Sequence, residues 1–249
     1  MFDAAPQRSA NLLLAGLTES EFEYLAPHLE PVELAHAMQV EAPDEPIVHA
    51  YFPASGLASV IAQDRAGRRI EAGLFGREGM TALSVVMGDD RSPNETTFQI
   101  AGSGHRIATD ALREAMRAEP AIRDRFLLFA HAFAIQTAQT ALANGKHSVE
   151  ERLARWLLMC QDRVGGYELH LTHEFLSIML GVRRAGVTVT IHILEGRHLI
   201  KAKRGCIRVV DRDGLKAAAR GSYGVTEAEY ARLMGVSLNE AETAREAAE

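Results

Sequence analysis

The chain has 249 residues, 27 Lys or Arg against 33 Asp or Glu (net charge −6), and a hydrophobic fraction of 47%, enough for the packed cores of one large or two modest domains. This excludes an intrinsically disordered chain, and the two cysteines, Cys160 and Cys206, lack the spacing of a disulfide framework, a zinc site or a four-cysteine cluster. No run of about eighteen apolar residues occurs, and the stretch MFDAAPQRSANLLLAGL carries Asp3 and only a brief leucine cluster, so neither a membrane span nor a secretory signal is expected and the compartment expected is the cytoplasm.

A short helix is expected from Thr18, where Thr18 and Glu21 form a capping box ahead of the apolar Phe22, Leu25 and Leu29. From about Glu33 to Ala108, short apolar runs alternate with Gly and Pro at close intervals. That punctuation predicts an antiparallel β-roll, interrupted by a short helix around Met80 to Val86. A helical piece follows at Asp110 to Ala118, then a long helix from Pro120 to about Asn144. Ile122, Phe126, Phe129, Phe133, Gln136 and Ala143 trace a stripe on it that must be covered, by the roll or, preferred here, by the same helix of a second subunit. Gly145 is expected to break this helix, and Ser148 with Glu151 to cap the next one, through Arg163; residues 145–148 are the expected hinge.

The richest stretch is 172–210. Phe175, Leu176, Met179 and Leu180 fall at helical spacing, Gly181 supplies a sharp turn, and Val187, Ile191 and Leu194 bury one stripe of a second helix. Small and basic residues crowd the start of that second helix, as a helix that approaches base edges requires. Leu199 and Ile200 open a strand, 201–205 are expected to turn, and Ile207, Val209 and Val210 return. This is the outline of a winged helix-turn-helix. Candidate DNA-binding residues are Thr172 and His173 at the first helix, Arg183, Arg184, Gly186, Thr188 and Thr190 on the second, and Lys201, Lys203 and Arg204 on the wing, where cations would follow the phosphate backbone. Charge supports the reading: residues 146–208 hold eleven Lys or Arg against six Asp or Glu (+5), which leaves −11 for the rest of the chain. A last helix is expected over 226–235, capped by Thr226 and Glu229, with a frayed Ala- and Glu-rich tail after Val236.

Over roughly residues 13–219 the chain resembles the Crp/Fnr-type transcription regulators. The motifs that carry the resemblance are EERLARWLLMCQDR (150–163), LTHEFLSIMLGVRRAGVT (171–188), LIKAKRGCIRVVDRDGL (199–215) and, more weakly, FGREGM (75–80). The resemblance implies an α+β architecture: an amino-terminal cyclic-nucleotide-binding-like β-roll, a long dimerisation helix and a carboxy-terminal winged helix. The units expected are 1–119, 120–145, 146–221 and a helical extension over 222–249. It also implies a homodimer on palindromic double-stranded DNA, with RNA polymerase and a small-molecule effector as further candidate partners. Arg184 matches the position of an arginine that reads guanine, whereas Ala185 and Val189 replace two further base-reading side chains, so the operator should differ.

The effector site departs from the family. Gly76, Arg77, Glu78 and Gly79 keep the outline of a phosphate-binding turn, with Arg77 read as a solvated loop residue. Glu95 stands where the phosphate-neutralising arginine is expected, with Arg91 displaced upstream, and a carboxylate facing a phosphodiester repels it. A vestigial pocket, or one for a different small ligand, is favoured over cyclic-nucleotide binding and over the absence of any ligand. No cofactor, metal site or catalytic residue is expected: the ten histidines show no paired ligand spacing, and Asp89 with Asp90 reads as a solvated turn. The rival class is a small-molecule-binding or enzymatic β-roll whose helical domain only mediates assembly.

Overall fold

The computed structural model describes residues 10–238. Helix α1 (Leu12–Ala15), too short to leave a periodic signal, is started by Asn11, whose side-chain oxygen accepts from the amides of Leu13 and Leu14. Helix α2 (Glu19–Leu25) carries the expected capping box of Thr18 and Glu21. Seven strands follow: β1 (Glu30–Leu34), β2 (Gln39–Glu41), β3 (His49–Pro53), β4 (Leu57–Gln63), β5 (Arg69–Phe75), β6 (Glu95–Ile100) and β7 (Gly102–Ala108), with the one-turn helix α3 (Leu83–Val86) between β5 and β6. They form two antiparallel sheets, β1-β7-β3 and β2-β6-β4-β5, the roll that the Gly and Pro punctuation predicts.

Helices α4 (Thr109–Ala118) and α5 (Pro120–Lys146) close the roll. Gly145 does not break α5. The helix runs one residue past it and ends where His147 turns extended (ψ 148°), because Ser148 and Glu151 cap the following helix; an exposed helical glycine costs only about 1 kcal/mol.

Helix α6 (Val149–Val164), strand β8 (Glu168–Leu169), helices α7 (His173–Leu180) and α8 (Arg184–Gly196), strands β9 (Ile200–Lys203) and β10 (Cys206–Val209) and helix α9 (Arg212–Ala218) build the carboxy-terminal unit, with a third sheet ordered β8-β10-β9. The wing turn is tighter than the sequence suggests: Lys201 and Lys203 lie in β9, and only Arg204 and Gly205 turn, Gly205 at φ +74°. Helix α10 (Val225–Met234) starts one residue early; Glu227 accepts from the Gly224 amide, whereas Glu229 pairs with Arg232. The frayed tail falls largely outside the described residues.

The buried stripe of α5 is covered within the chain. Ile122, Phe126, Phe129 and Ala132 enter the core of the roll, and α10 lays Tyr230 and Met234 into the same core. The expectation that a second subunit covers this stripe is therefore corrected. Gln136 belongs to the stripe because its amide serves as a strand partner: it accepts from the Leu74 amide at 2.7 Å and donates to the Leu74 carbonyl at 3.0 Å, satisfying the edge strand β5. By length and composition α5 could cross a membrane, which a count of uninterrupted apolar residues misses; a third of its most apolar window is buried inside the fold.

A second core joins the two units. Leu57, Ile61, Leu74 and Ile100 of the roll pack with Leu153, Leu157, Leu176, Leu180 and the wing strands. Across this seam Arg163 of α6 donates from Nε to Glu78 at 2.6 Å, both side chains 2% exposed. Glu78 also accepts from the Gly76 amide at 2.9 Å, and its carbonyl accepts from the Tyr230 hydroxyl at 2.9 Å. Arg163→Met leaves the Glu78 carboxylate buried with too few donors, which should cost about 3–5 kcal/mol in urea unfolding. Adding Glu78→Gln should recover most of the loss; a single variant as stable as the parent would show that the pair does not secure the seam.

Candidate nucleic-acid interface

Helices α7 and α8 cross at a sharp turn made possible by Gly181, in the left-handed region at φ +59°, which closes α7 through hydrogen bonds to Ile178 and Ser177. A side chain at Gly181 would also press on Ile70 of β5 at 3.0 Å, so the turn rests on the roll. Thr172 caps α7 by accepting from the Phe175 amide at 3.1 Å. The inner face of α8, Val187, Ile191 and Leu194, is buried in the second core.

The candidate DNA-binding residues divide by position. Arg183, Arg184, Lys201, Lys203 and Arg204 are exposed, and none makes a side-chain hydrogen bond or ion pair among the described residues. Most arginines of the roll, by contrast, have acidic partners, as Arg69 has Glu95 and Arg106 has Glu30. Gly186 lies in the first turn of α8, where a Cβ would make only an ordinary contact with Val182 at 3.9 Å. His173 and Thr188 meet each other, Nδ1 to Oγ1 at 3.1 Å, while the Thr188 hydroxyl donates to the Arg184 carbonyl at 3.1 Å; they tie α7 to the start of α8. Thr190 is corrected: it is buried, its hydroxyl donating to the Gly186 carbonyl at 2.8 Å, because it shares the inner face with Val187 and Leu194. Val189 and Ile193, 59% and 43% exposed on the outer side, are not among the residues expected to bind, although their exposure follows from the phase of the buried stripe.

The amino-terminal site differs from its expectation. Arg77 is 4% exposed rather than solvated, and Glu78 is engaged by Arg163. Gly79 cannot carry a side chain, since one would strike the Phe129 ring at 2.1 Å. Arg91 is exposed and meets Asp90 and the Asp44 carbonyl instead of folding inward. The cavity nearby, about 140 Å³, is lined instead by Glu41, Val60, Phe75, Thr81, Ser84 and Thr96, among others. That is below the roughly 300–1,000 Å³ of sites for drug-sized ligands. Glu41 accepts from the Ala82 amide at 2.6 Å, holding Ala82 left-handed (φ +61°), and from the Thr96 hydroxyl at 2.7 Å; burial raises its carboxyl above the ordinary range. The Glu41 carboxyl on this wall disfavours a phosphate, whereas Glu95 pairs with Arg69 and does not line the cavity.

A winged helix packed on a roll with a long closing helix is the architecture of the Crp/Fnr fold. Residues 151–218 match the Crp-like helix-turn-helix domain. A Crp/Fnr-family protein of Eubacterium rectale superposes with a TM-score of 0.64 at 18% identity, covering 84% of this chain and 98% of its own. FixK2 of Bradyrhizobium japonicum gives 0.66 at 15% identity, covering 76% and 96%. The c-di-GMP-responsive regulator CLP of Xanthomonas campestris gives 0.62 at 16%, covering 77% and 99%. A comparison with curated protein sequences finds no match. The chain thus carries a Crp-like helix-turn-helix domain within a Crp/Fnr fold.

The winged helix is held to the roll by a second carboxyl. Glu71 of β5 accepts from the Trp156 indole at 2.8 Å and from the Ser59 hydroxyl at 2.6 Å, and Trp156 stacks edge-on to Phe175 of α7 with centroids 5.5 Å apart. Burial raises the Glu71 carboxyl to about 7 from an ordinary 4.5, against the lowering effect of these donors and of Arg155 and Arg163. The folded protein then keeps a proton that the unfolded chain has released, so this group's contribution to stability is full below pH 4.5 and is lost as pH rises to about 7. The loss is about 3 kcal/mol. Glu71→Gln should abolish it, so urea unfolding of parent and variant should diverge between pH 4.5 and 7.5; a difference constant with pH would refute the assignment.

Proposed function

We propose that this chain is a sequence-specific transcription regulator that binds a palindromic operator as a homodimer, in the cytoplasm, without catalytic activity of its own. The observation that carries the reading is the group of five cations around α8 and the wing, uncommitted among the described residues in a chain that is otherwise acidic. Arg183 and Arg184 project from the first turn of α8, where a recognition helix meets base edges, and the wing cations suit the phosphate backbone. Arg184 serves as the guanine reader, Lys201, Lys203 and Arg204 as phosphate contacts.

The homodimer is supported by the other side of α5. Leu128, Ile135 and Leu142 repeat every seven residues; Leu128 and Leu142 are 41% and 50% exposed, and Ile135 is half-buried. A seven-residue apolar repeat on an uncovered helix suits a parallel partner. We take the roll (1–119) as the sensing unit, 120–145 as the dimer helix, 146–221 as the DNA-binding unit and 222–249 as a carboxy-terminal helical extension and tail, with the hinge at His147. A small ligand other than a cyclic nucleotide, acting at the roll, would shift the two units from the arrangement that the seam holds to one scarcely populated without it. RNA polymerase is the further partner that such a regulator requires if it activates.

Selection from random duplex DNA should yield a two-fold-symmetric motif, bound by a dimer in sedimentation. On that operator, Arg184→Ala should cost about 1–3 kcal/mol and relax one position in each half-site. Lys203→Ala should weaken all sequences alike and reduce the salt slope by about 0.9 for each phosphate that is no longer neutralised. Equal losses on operator and random DNA for both variants would refute this division of roles.

A further inference from the structure

Helix α8 turns by about 100° per residue, which puts Ala185, Val189 and His192 opposite the buried Val187, Thr190 and Leu194. All three are exposed; Val189 is 59% exposed and Ile193, on the flank, 43%. Helix propensity does not explain this, since β-branched residues are poorer helix formers than the Ala, Glu or Lys usual on a solvated face. Nor does the fold use Val189 or Ile193, because neither belongs to a core. The strip lies on the helix whose first turn bears Arg183 and Arg184, beside a wing bearing Lys201, Lys203 and Arg204, so whatever it meets is polyanionic. The apolar group that a polyanionic double helix displays in its major groove is the 5-methyl of thymine.

We propose that Val189, flanked by Ala185 and Ile193, reads thymine methyl groups, so that each operator half-site carries an A·T pair beside the guanine contacted by Arg184. This inference rests on the DNA-binding reading above and adds a specificity residue to it. Val189 acts by excluding water from one methyl group and offers no hydrogen bond, so it distinguishes thymine from uracil, a difference that a hydrogen-bonding reader would not sense.

The test uses the full-length protein and the selected operator, with each thymine replaced singly, in both half-sites, by deoxyuridine. Burying one methyl group contributes roughly 0.8 kcal/mol, about fourfold in affinity, so a symmetric replacement should weaken binding by about fifteenfold at one position and little elsewhere. Val189→Ser should bind the thymine and uracil duplexes equally at that position, and Val189→Ala should retain a small part of the difference. Because Val189 is exposed, neither variant should unfold at a urea midpoint well below the parent's, and Val189→Ala, with the better helix former, should match or slightly exceed it. Equal binding of the two duplexes at every position by the parent protein, or full discrimination by Val189→Ser, would overturn the proposal while leaving the regulator intact. Failure to select any operator would instead fall on the DNA-binding reading itself.

Discussion

Two buried carboxyls hold the molecule together across its principal seam. Glu71 and Glu78, on and just after the edge strand β5, take donors from Trp156 and Arg163, seven residues or two turns apart on α6. A buried polar group left without hydrogen-bond partners costs about 1–3 kcal/mol, and more where it is charged, so each carboxyl fixes the position of α6 to within hydrogen-bond reach. Because α6 forms the floor of the winged helix, the same bonds fix α7 and α8 relative to the roll. The shared apolar core supplies the larger part of the stabilisation, but apolar contacts tolerate sliding, whereas these donors and acceptors specify one register.

This arrangement gives the FGREGM turn a role different from the one its resemblance implies. Arg77 and Glu78 face inward, joined to Arg163, Tyr230 and the Leu238 carbonyl, so the turn is where the roll, the winged helix and α10 converge. Through Arg163 this turn is bonded directly to α6, the first helix of the carboxy-terminal unit. Helix α10 adds a strap across one side of α5, leaving the seven-residue repeat of Leu128, Ile135 and Leu142 on the other side open to a partner. One helix therefore packs against the roll, the strap and, in the proposed dimer, its own copy.

The local features are legible in the sequence because local physics determines them. Thr18 with Glu21 and Ser148 with Glu151 announce helix starts through bonds that span three residues, and Gly181 and the phase of Val187, Ile191 and Leu194 announce the helix-turn-helix. That phase also places Thr190 inside and Val189 outside, the reverse of what their polarity suggests. Gly145 does not end α5 because a glycine only weakens a helix, and the extended backbone of His147 is what ends it. The pairs Glu71–Trp156 and Glu78–Arg163, each separated by 85 residues, leave no local signal beyond a carboxyl among the apolar residues 70–75 of a strand and the chain's one tryptophan. The covering of α5 by α10 is equally nonlocal, since a stripe announces that it is buried but not by what.

If the seam fixes the winged helix to the roll, the distance between them must have one value in the free protein. Spin labels at Arg68→Cys, on the exposed β4–β5 turn, and Lys203→Cys, on the wing, would report it by pulsed dipolar spectroscopy. A Cys206→Ser background removes the accessible native thiol, and burial raises the Cys160 thiol well above its usual range and shields it from labelling. With the labelled chain diluted into excess unlabelled protein, so that a dimer carries one labelled protomer, the account predicts a single narrow distance distribution without DNA. A broad or bimodal distribution would contradict it, showing that the winged helix moves freely about His147 and that the buried carboxyls do not set its position.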